Sequence, residues 1–257
     1  MPNTSTKKLR YIDLGLIEPK LFLPIFEYPS LIPLVCPTIF SYSSNTLAIS
    51  VDGSDRLDKR IRVEKLPRDI KIIRYRNHTN TVFLISPKIL TFVIHYPDTD
   101  KFKSLNKAIK ATVFKTLREY GIPLVEKRND VYFLKDGLEK KFFGITSESF
   151  IDKWRSTLFS ITLEFDFDLA NKMYKFDDEK FAKKGDITDI GKIVGGLCEA
   201  KPDIDKDKIV AEVIQKIAER FSLGIEKKDL SKAELFKMNK LTDKFNNKEW
   251  QLYGKRP

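Results

Sequence analysis

Histidine and cysteine are nearly absent from this chain: His78, His95, Cys36 and Cys198 are the whole supply in 257 residues. Two histidines leave little from which to build a His-rich metal site or a histidine relay. Two thiols far apart in sequence form neither a zinc signature nor a disulfide framework. Long apolar runs are missing as well. No stretch of about 18 uninterrupted apolar residues occurs, so no membrane-spanning helix is expected. The opening MPNTSTKKLRYIDLG has no apolar core behind its charges, which argues against a secretory signal and leaves the cytoplasm as the expected compartment. Neither GxGxxG nor GxxxxGKS/T is present, so dinucleotide-fold and P-loop readings have no support. Internal repeats and low-complexity segments are lacking too.

What is present is enough for a sizeable core: 42% of the residues are apolar and 12% aromatic. The net charge is +11, and it is unevenly spread. Residues 1–128 carry 22 Lys/Arg against 12 Asp/Glu, a net of +10, whereas residues 129–257 carry 25 against 24. Such a half attracts an acidic protein, a nucleotide or a nucleic acid, or is simply a solvated surface. The run Arg56, Lys59, Arg60, Arg62, Lys65, Arg68 is interleaved with Asp55, Asp58, Glu64 and Asp69 and holds no aromatic. Base-stacking surfaces mix aromatics with cations, so a protein partner is the better expectation and nucleic acid is not expected.

Along the chain, LRYIDLG alternates like a strand ending at Gly15, and the proline-punctuated 18–37 reads as a short helix or irregular cover. TIFSYSSNTLAISV, RIRVEKL, IKIIRYR, TVFLI and ILTFVIHY read as strands of an antiparallel or mixed sheet. Leu105, Ile109, Val113 and Leu117 then recur at helical spacing, with Gly121 as the terminal cap. VYFLK and KKFFGI are strands, and Phe159 to Phe167 alternates apolar with polar as one half-buried strand. After about residue 186 the pattern is helical to the end. Ile209, Val213, Ile217 and Phe221 form one stripe closed by Gly224, and Ser231 to Glu234 is a capping box opening another helix. The fold class expected is α/β (α+β): a mixed sheet with packed helices over 1–185 and a helical continuation over 186–257.

The chemistry-bearing stretch is Asn129-Asp130-Val131-Tyr132-Phe133, followed by Asp136-Gly137-Leu138-Glu139-Lys140-Lys141-Phe142-Phe143-Gly144. On its residues alone it is also readable as a β-hairpin with two exposed lysines. Other segments stand in order around it. They are Pro37-Thr38-Ile39-Phe40-Ser41-Tyr42, Trp154-Arg155-Ser156-Thr157-Leu158-Phe159, Asp166-Phe167-Asp168-Leu169, Lys175-Phe-Asp-Asp-Glu-Lys-Phe181, Ile187-Thr188-Asp189 and Phe245-Asn-Asn-Lys-Glu-Trp250. Together they cover most of the chain, and the whole resembles the lipoate–protein ligase A family of the biotin/lipoate ligase superfamily.

The resemblance implies the ligase catalytic-domain fold and an ATP-dependent activation of lipoate or octanoate to acyl-AMP, followed by transfer to a lysine of a lipoyl-carrier domain. It makes Lys141, of the Lys-apolar-x-Gly element ending at Gly144, the lysine on the acyl carboxylate and phosphate. It places Arg74 and Arg76 near the nucleotide, and Asn129 and Asp130 near the adenylate or a Mg²⁺ ion. Lys141 is then expected to point into the main concave pocket. It also implies an acidic lipoyl-carrier domain as partner and leaves room for a separate accessory subunit. The departure is the substrate loop. Family members carry Arg-Arg-x-Ser/Thr-Gly-Gly-Gly, whereas here Arg74-Tyr75-Arg76-Asn77-His78-Thr79-Asn80 has side chains in place of all three glycines. Those side chains crowd a ligand and penalise positive φ, so weak or absent adenylation is expected, with a non-catalytic ligase-fold protein as the alternative. Cys198 in Val194-Gly-Gly-Leu-Cys198 is similar in type to the nucleophile of octanoyltransferases. Only Lys192 and Lys201 lie near it in sequence, which favours an inert, buried thiol. Gly144 to Glu148 also resembles biotin ligases, but their Gly-Arg-rich loop is missing.

Overall fold

The computed structural model describes residues 7–52, 57–59, 61–75, 81–127, 130–151, 153–175, 189–246 and 248–253. β1 (Lys8–Ile17) passes beyond Gly15 through a bulge between Asp13 and Gly15. The proline-rich segment becomes a 3-10 turn at Pro19–Leu21, then α1 (Phe22–Phe26) and α2 (Tyr28–Leu31). Pro24 fits because it falls in the first turn of α1, where its missing N–H would have no intrahelical partner. There follow β2 (Thr38–Ser44) and β3 (Ala48–Asp52), then 3-10 turns at Leu57–Lys59 and Val63–Lys65. The strand expected over RIRVEKL is therefore replaced by turns. Ile61 is fully buried and Val63 and Leu66 pack partly buried beside it, but Lys65 interrupts the face that Ile61 and Val63 would share, so the segment lacks a continuous alternating apolar face.

β4 (Lys71–Tyr75), β5 (Thr81–Ile85) and β6 (Ile89–Pro97) lead to α3 (Leu105–Glu119), whose buried stripe is the expected one, with Gly121 at φ +77 behind it. β7 (Leu124–Lys127), β8 (Asp130–Lys135), β9 (Leu138–Ile151) and β10 (Trp154–Thr162) follow. β10 stops short of Phe167. Asp166 accepts a hydrogen bond from the Leu169 N–H and caps α4 (Phe167–Met173) instead, so local capping overrides the alternation. After α5 (Lys206–Arg220) a second correction appears: the helix is capped at Phe221 with Ser222 in the left-handed region (φ 51), and Gly224 instead opens a strand, β11 (Gly224–Lys227). α6 (Lys232–Phe245) starts on the expected capping box, and α7 (Lys248–Tyr253) is the last described element.

Eight strands form one mixed sheet in the order β11-β1-β2-β6-β10-β9-β8-β7, with β1 parallel to both β11 and β2 and antiparallel pairs beyond. A smaller sheet, β4-β3-β5, stands apart. β2 and β6 are buried along their whole length because both faces of the large sheet are covered. On one face Ile39, Phe92, Ile94, Phe133, Phe143 and Phe159 pack under α3 and α5. On the other, Phe40, Val93 and Leu158 meet α1, α6 and the tail, including Phe245 and Trp250. A third cluster, with Ile49, Leu84, Leu169 and Ile190, links the small sheet to α4.

Candidate functional site

The β8–β9 hairpin turns on Asp136 (φ 51) and Gly137 (φ 75), the two positive-φ positions of a type I′ turn, which suits the twist of the strands it joins. This turn sets the register, so that Asp130 faces Gly144 and Tyr132 faces Lys141, with Phe142 taken up in a bulge. Val131 and Phe143 point into the core beneath α3 and α5, and by strand alternation Asp130 and Tyr132 lie on the opposite face.

There Lys141 Nζ lies 2.8 Å from Asp130 Oδ1, the two side chains being 37% and 29% exposed. The lysine reaches Asp130 by lying across Gly144. A Cβ at that position would sit 3.3 Å from Lys141 Cε, 3.4 Å from Nζ and 3.5 Å from Asp130 Oδ1, so it would press on the lysine tail by a few tenths of an ångström. Burial, and then the Asp130 carboxylate, push the Tyr132 phenol above its ordinary range. The Lys141 backbone is held from a distant part of the chain: its N–H donates to Ile193 O at 2.9 Å, and its carbonyl accepts from the Gly195 N–H at 3.0 Å. Lys140 is occupied elsewhere, 2.6 Å from Glu199 and over the Phe167 ring. Lys141 thus presents one partly exposed ammonium whose carboxylate partner is exchangeable for an anionic group of a ligand.

The other sequence-derived candidates are placed as follows. Arg76 and Asn129 lie outside the described residues, as do His78, Thr79, Asn80 and 176–188. Arg74 stands on the small sheet, fully buried, donating from Nε to Gln251 O at 3.2 Å and from Nη2 to Leu252 O at 3.3 Å. These are last-turn carbonyls of α7, which a cation satisfies well. Gly144 and Asp130 are brought together with Lys141; Arg74 is tied to the C-terminal helix. Tyr132 was missed although strand period alone puts it beside Asp130. Ile193 to Gly195 carried no local signal at all.

Ser156 is buried and hydrogen-bonded to His95 Nδ1 at 2.7 Å. Cys198 is half-buried, and burial, followed by Glu164, raises its thiol above the ordinary range, the opposite of an activated nucleophile. Among the described residues no group of three or more His, Cys, Asp or Glu side chains is arranged to hold a metal ion. Nor is any helix among them long and apolar enough to cross a membrane. Three hollows of about 280, 410 and 650 Å³ open beside Lys71 and Phe245, beside Tyr11 and Asp13, and between α3 and α5; Lys141 lines none of these three.

No protein-family profile and no curated protein sequence matches the chain. Solved structures do resemble it. One is a bi-partite lipoate protein ligase of Thermoplasma acidophilum, from an archaeal lipoylation system studied with its E2 lipoyl domain. It has a TM-score of 0.78 at 18% identity, covering 98% of each chain. Another is a T. acidophilum protein assigned as a lipoate protein ligase and carrying bound lipoic acid, at 0.75 and 14%, covering 95% of this chain and 99% of that one. A third is a lipoate-protein ligase A bound with ATP, at 0.75 and 14%, covering 95% and 98%. At these identities the likeness establishes the fold: a mixed α/β domain of the lipoate-ligase catalytic type.

Proposed function

We propose that this chain is a lipoate–protein ligase-like protein. It takes lipoate or octanoate with ATP, forms the acyl-AMP with loss of pyrophosphate, and passes the acyl group to a lysine of a carrier domain. The observation that supports this best is the Lys141–Asp130 pair lying over Gly144 on a sheet of the ligase type. A fixed ammonium there stabilises the charge on carboxylate and phosphoryl oxygens as the mixed anhydride forms and breaks. Asp130 is the one carboxylate at the cluster among the described residues. Mg²⁺ would therefore be held chiefly by the ATP phosphates, with Asp130 and Asn129 assisting. Of the two arginines considered for the nucleotide, Arg74 is committed to Gln251 and Leu252, which leaves Arg76 as the phosphate contact. The partner is an acidic lipoyl-carrier domain. A cytoplasmic setting and a separate accessory subunit belong to the same reading.

Because His78, Thr79 and Asn80 stand where ligases carry glycine, adenylation should be slow. The same three residues favour the second reading, a ligase-fold protein that binds its carrier without catalysis. Lipoate-dependent ATP–pyrophosphate exchange separates the two, run beside thermal shifts with lipoate, ATP and lipoyl-AMP for the wild type and Lys141→Ala. We expect weak exchange, stabilisation by lipoyl-AMP, and at least a tenfold loss of its affinity in Lys141→Ala, about 1.4 kcal/mol. Fast exchange would overturn the reading of the loop. An absence of response to all three ligands would overturn the ligase reading and leave the carrier-binding one, which a titration with a lipoyl domain at about 0.15 M salt then decides.

A further inference from the structure

Part of the excess charge of the N-terminal half is gathered in one place. Residues 100–119 contain six Lys/Arg against two Asp/Glu, and four of the six cations are on α3. Several lysines around the groove are neutralised in place: Lys110 of α3 by Glu126, and in neighbouring elements Lys127 by Glu139, Lys140 by Glu199 and Lys216 by Glu119. Lys107, Lys115 and Arg220, by contrast, make no ion pair among the described residues. All three line the same hollow of about 650 Å³ between α3 and α5. Its floor is Ala108, Ala111 and Thr112, small side chains that let another backbone approach, and Glu219 is the one acidic residue in its lining. Retaining three cations without ion-pair partners around one groove costs the free protein some self-repulsion, which an anionic occupant would relieve.

We propose that this α3–α5 groove is a docking site for an acidic helix of a protein partner. Lys107 and Lys115 lie eight residues apart on α3, ~12 Å along the axis at about 1.5 Å per residue, which matches carboxylates two turns apart on a helix laid alongside. Nucleic acid fits less well. The aromatic rings nearest the rim are already covered by the protein's own cations, Phe114 by Arg118 and Tyr120 by Lys208, so no stacking platform is offered. The groove lies over the sheet face opposite to Asp130 and Lys141, so its occupant is distinct from an acceptor lysine presented to Lys141. A partner seated there leaves that face open.

The test uses the full chain, isotopically labelled, and a synthetic amphipathic helical peptide with Glu residues along one face and Ala/Leu on the other. Amide shifts should concentrate in residues 104–118 and 215–223. Lys107→Gln/Lys115→Gln should weaken binding at least tenfold, while the charge-matched Lys232→Gln/Lys240→Gln, on exposed positions of α6, should change it less than twofold. Shifts on another surface, an equal loss in the control pair, no binding at millimolar peptide, or displacement of the peptide by lower concentrations of single-stranded RNA would each overturn the proposal.

Discussion

Gly144 is where a single atom decides the geometry of the candidate site. Its missing Cβ leaves the lysine tail room to cross to Asp130, and the nearest approaches for an added methyl are 3.3–3.5 Å, all to Lys141 and Asp130. Gly144→Ala should therefore displace the ammonium without damaging the core. We expect about a tenfold loss of lipoyl-AMP affinity, ~1.4 kcal/mol, with the urea midpoint nearly unchanged. A large drop in stability with affinity retained would show the glycine to be structural. His95 is a contrasting residue. Its Nε2–H donates to Ile25 O, so Nδ1 accepts from the Ser156 hydroxyl, and burial lowers its pKa to about 3. Unfolding lets the ring take up a proton anywhere between that value and about 6.5. The native state is thus favoured fully above pH 6.5 and loses stability as pH falls toward 3. Urea midpoints measured from pH 7 to pH 4 should decline in the wild type and decline less steeply in His95→Gln; parallel slopes would mean that another group controls the acid response.

At the scale of elements, α6 is pinned by one side chain serving two purposes. Glu234 accepts from the Ser231 N–H in the capping box, and it also accepts from Arg10 at 2.6 Å and from the Tyr28 hydroxyl. The Arg10 guanidinium, ahead of the other contacts, holds the Glu234 carboxyl down at about 2. The helix start is thereby tied to β1 and α2. Ser231→Ala removes the cap alone and should cost ~0.5–2 kcal/mol. Glu234→Ala removes the cap partner and strands a half-buried arginine, so about 3 kcal/mol or more is expected from urea unfolding. Equal effects of the two substitutions would mean that the Arg10 contact contributes nothing. The same comparison explains why this helix start was legible in sequence: a capping box is four consecutive residues, whereas its link to Arg10 joins positions 224 apart.

For the molecule as a whole, the C-terminal portion is part of the sheet domain rather than an appendage. β11 hydrogen-bonds to β1 from Lys8 to Tyr11, and Ile209, Val213, Ile214 and Ile217 of α5 fill the same core as Phe92 and Phe159. A fragment comprising residues 1–185 should therefore lack a cooperative thermal transition and bind hydrophobic dye, with far-UV signal retained and near-UV signal lost. A sharp, reversible melt of that fragment would refute this account. The charge asymmetry also belongs to this scale, since α3 gathers cations onto one outer face while the lysines of β7 and β9 are mostly neutralised by neighbours.

The sequence by itself determined the elements whose cause is local. The α3 stripe, the β2 and β6 runs, the Asp136-Gly137 turn and the Ser231 cap are all short-range patterns, and so is the pairing that sets Asp130 beside Lys141 across one hairpin. The order of ligase-like segments likewise led to the fold. Tertiary structure decided what depends on a remote partner. RIRVEKL had strand composition but no continuous alternating apolar face, and the strand through Phe167 was cut short when Asp166 found a helix to cap. β11 exists because β1 offered it an unpaired edge, and Arg74 is consumed by α7 carbonyls that no nearby residue announces. Strand alternation and capping are properties of neighbours along the chain. Edge pairing, burial of a charge and the clasp of Ile193 and Gly195 on Lys141 arise only when distant segments meet.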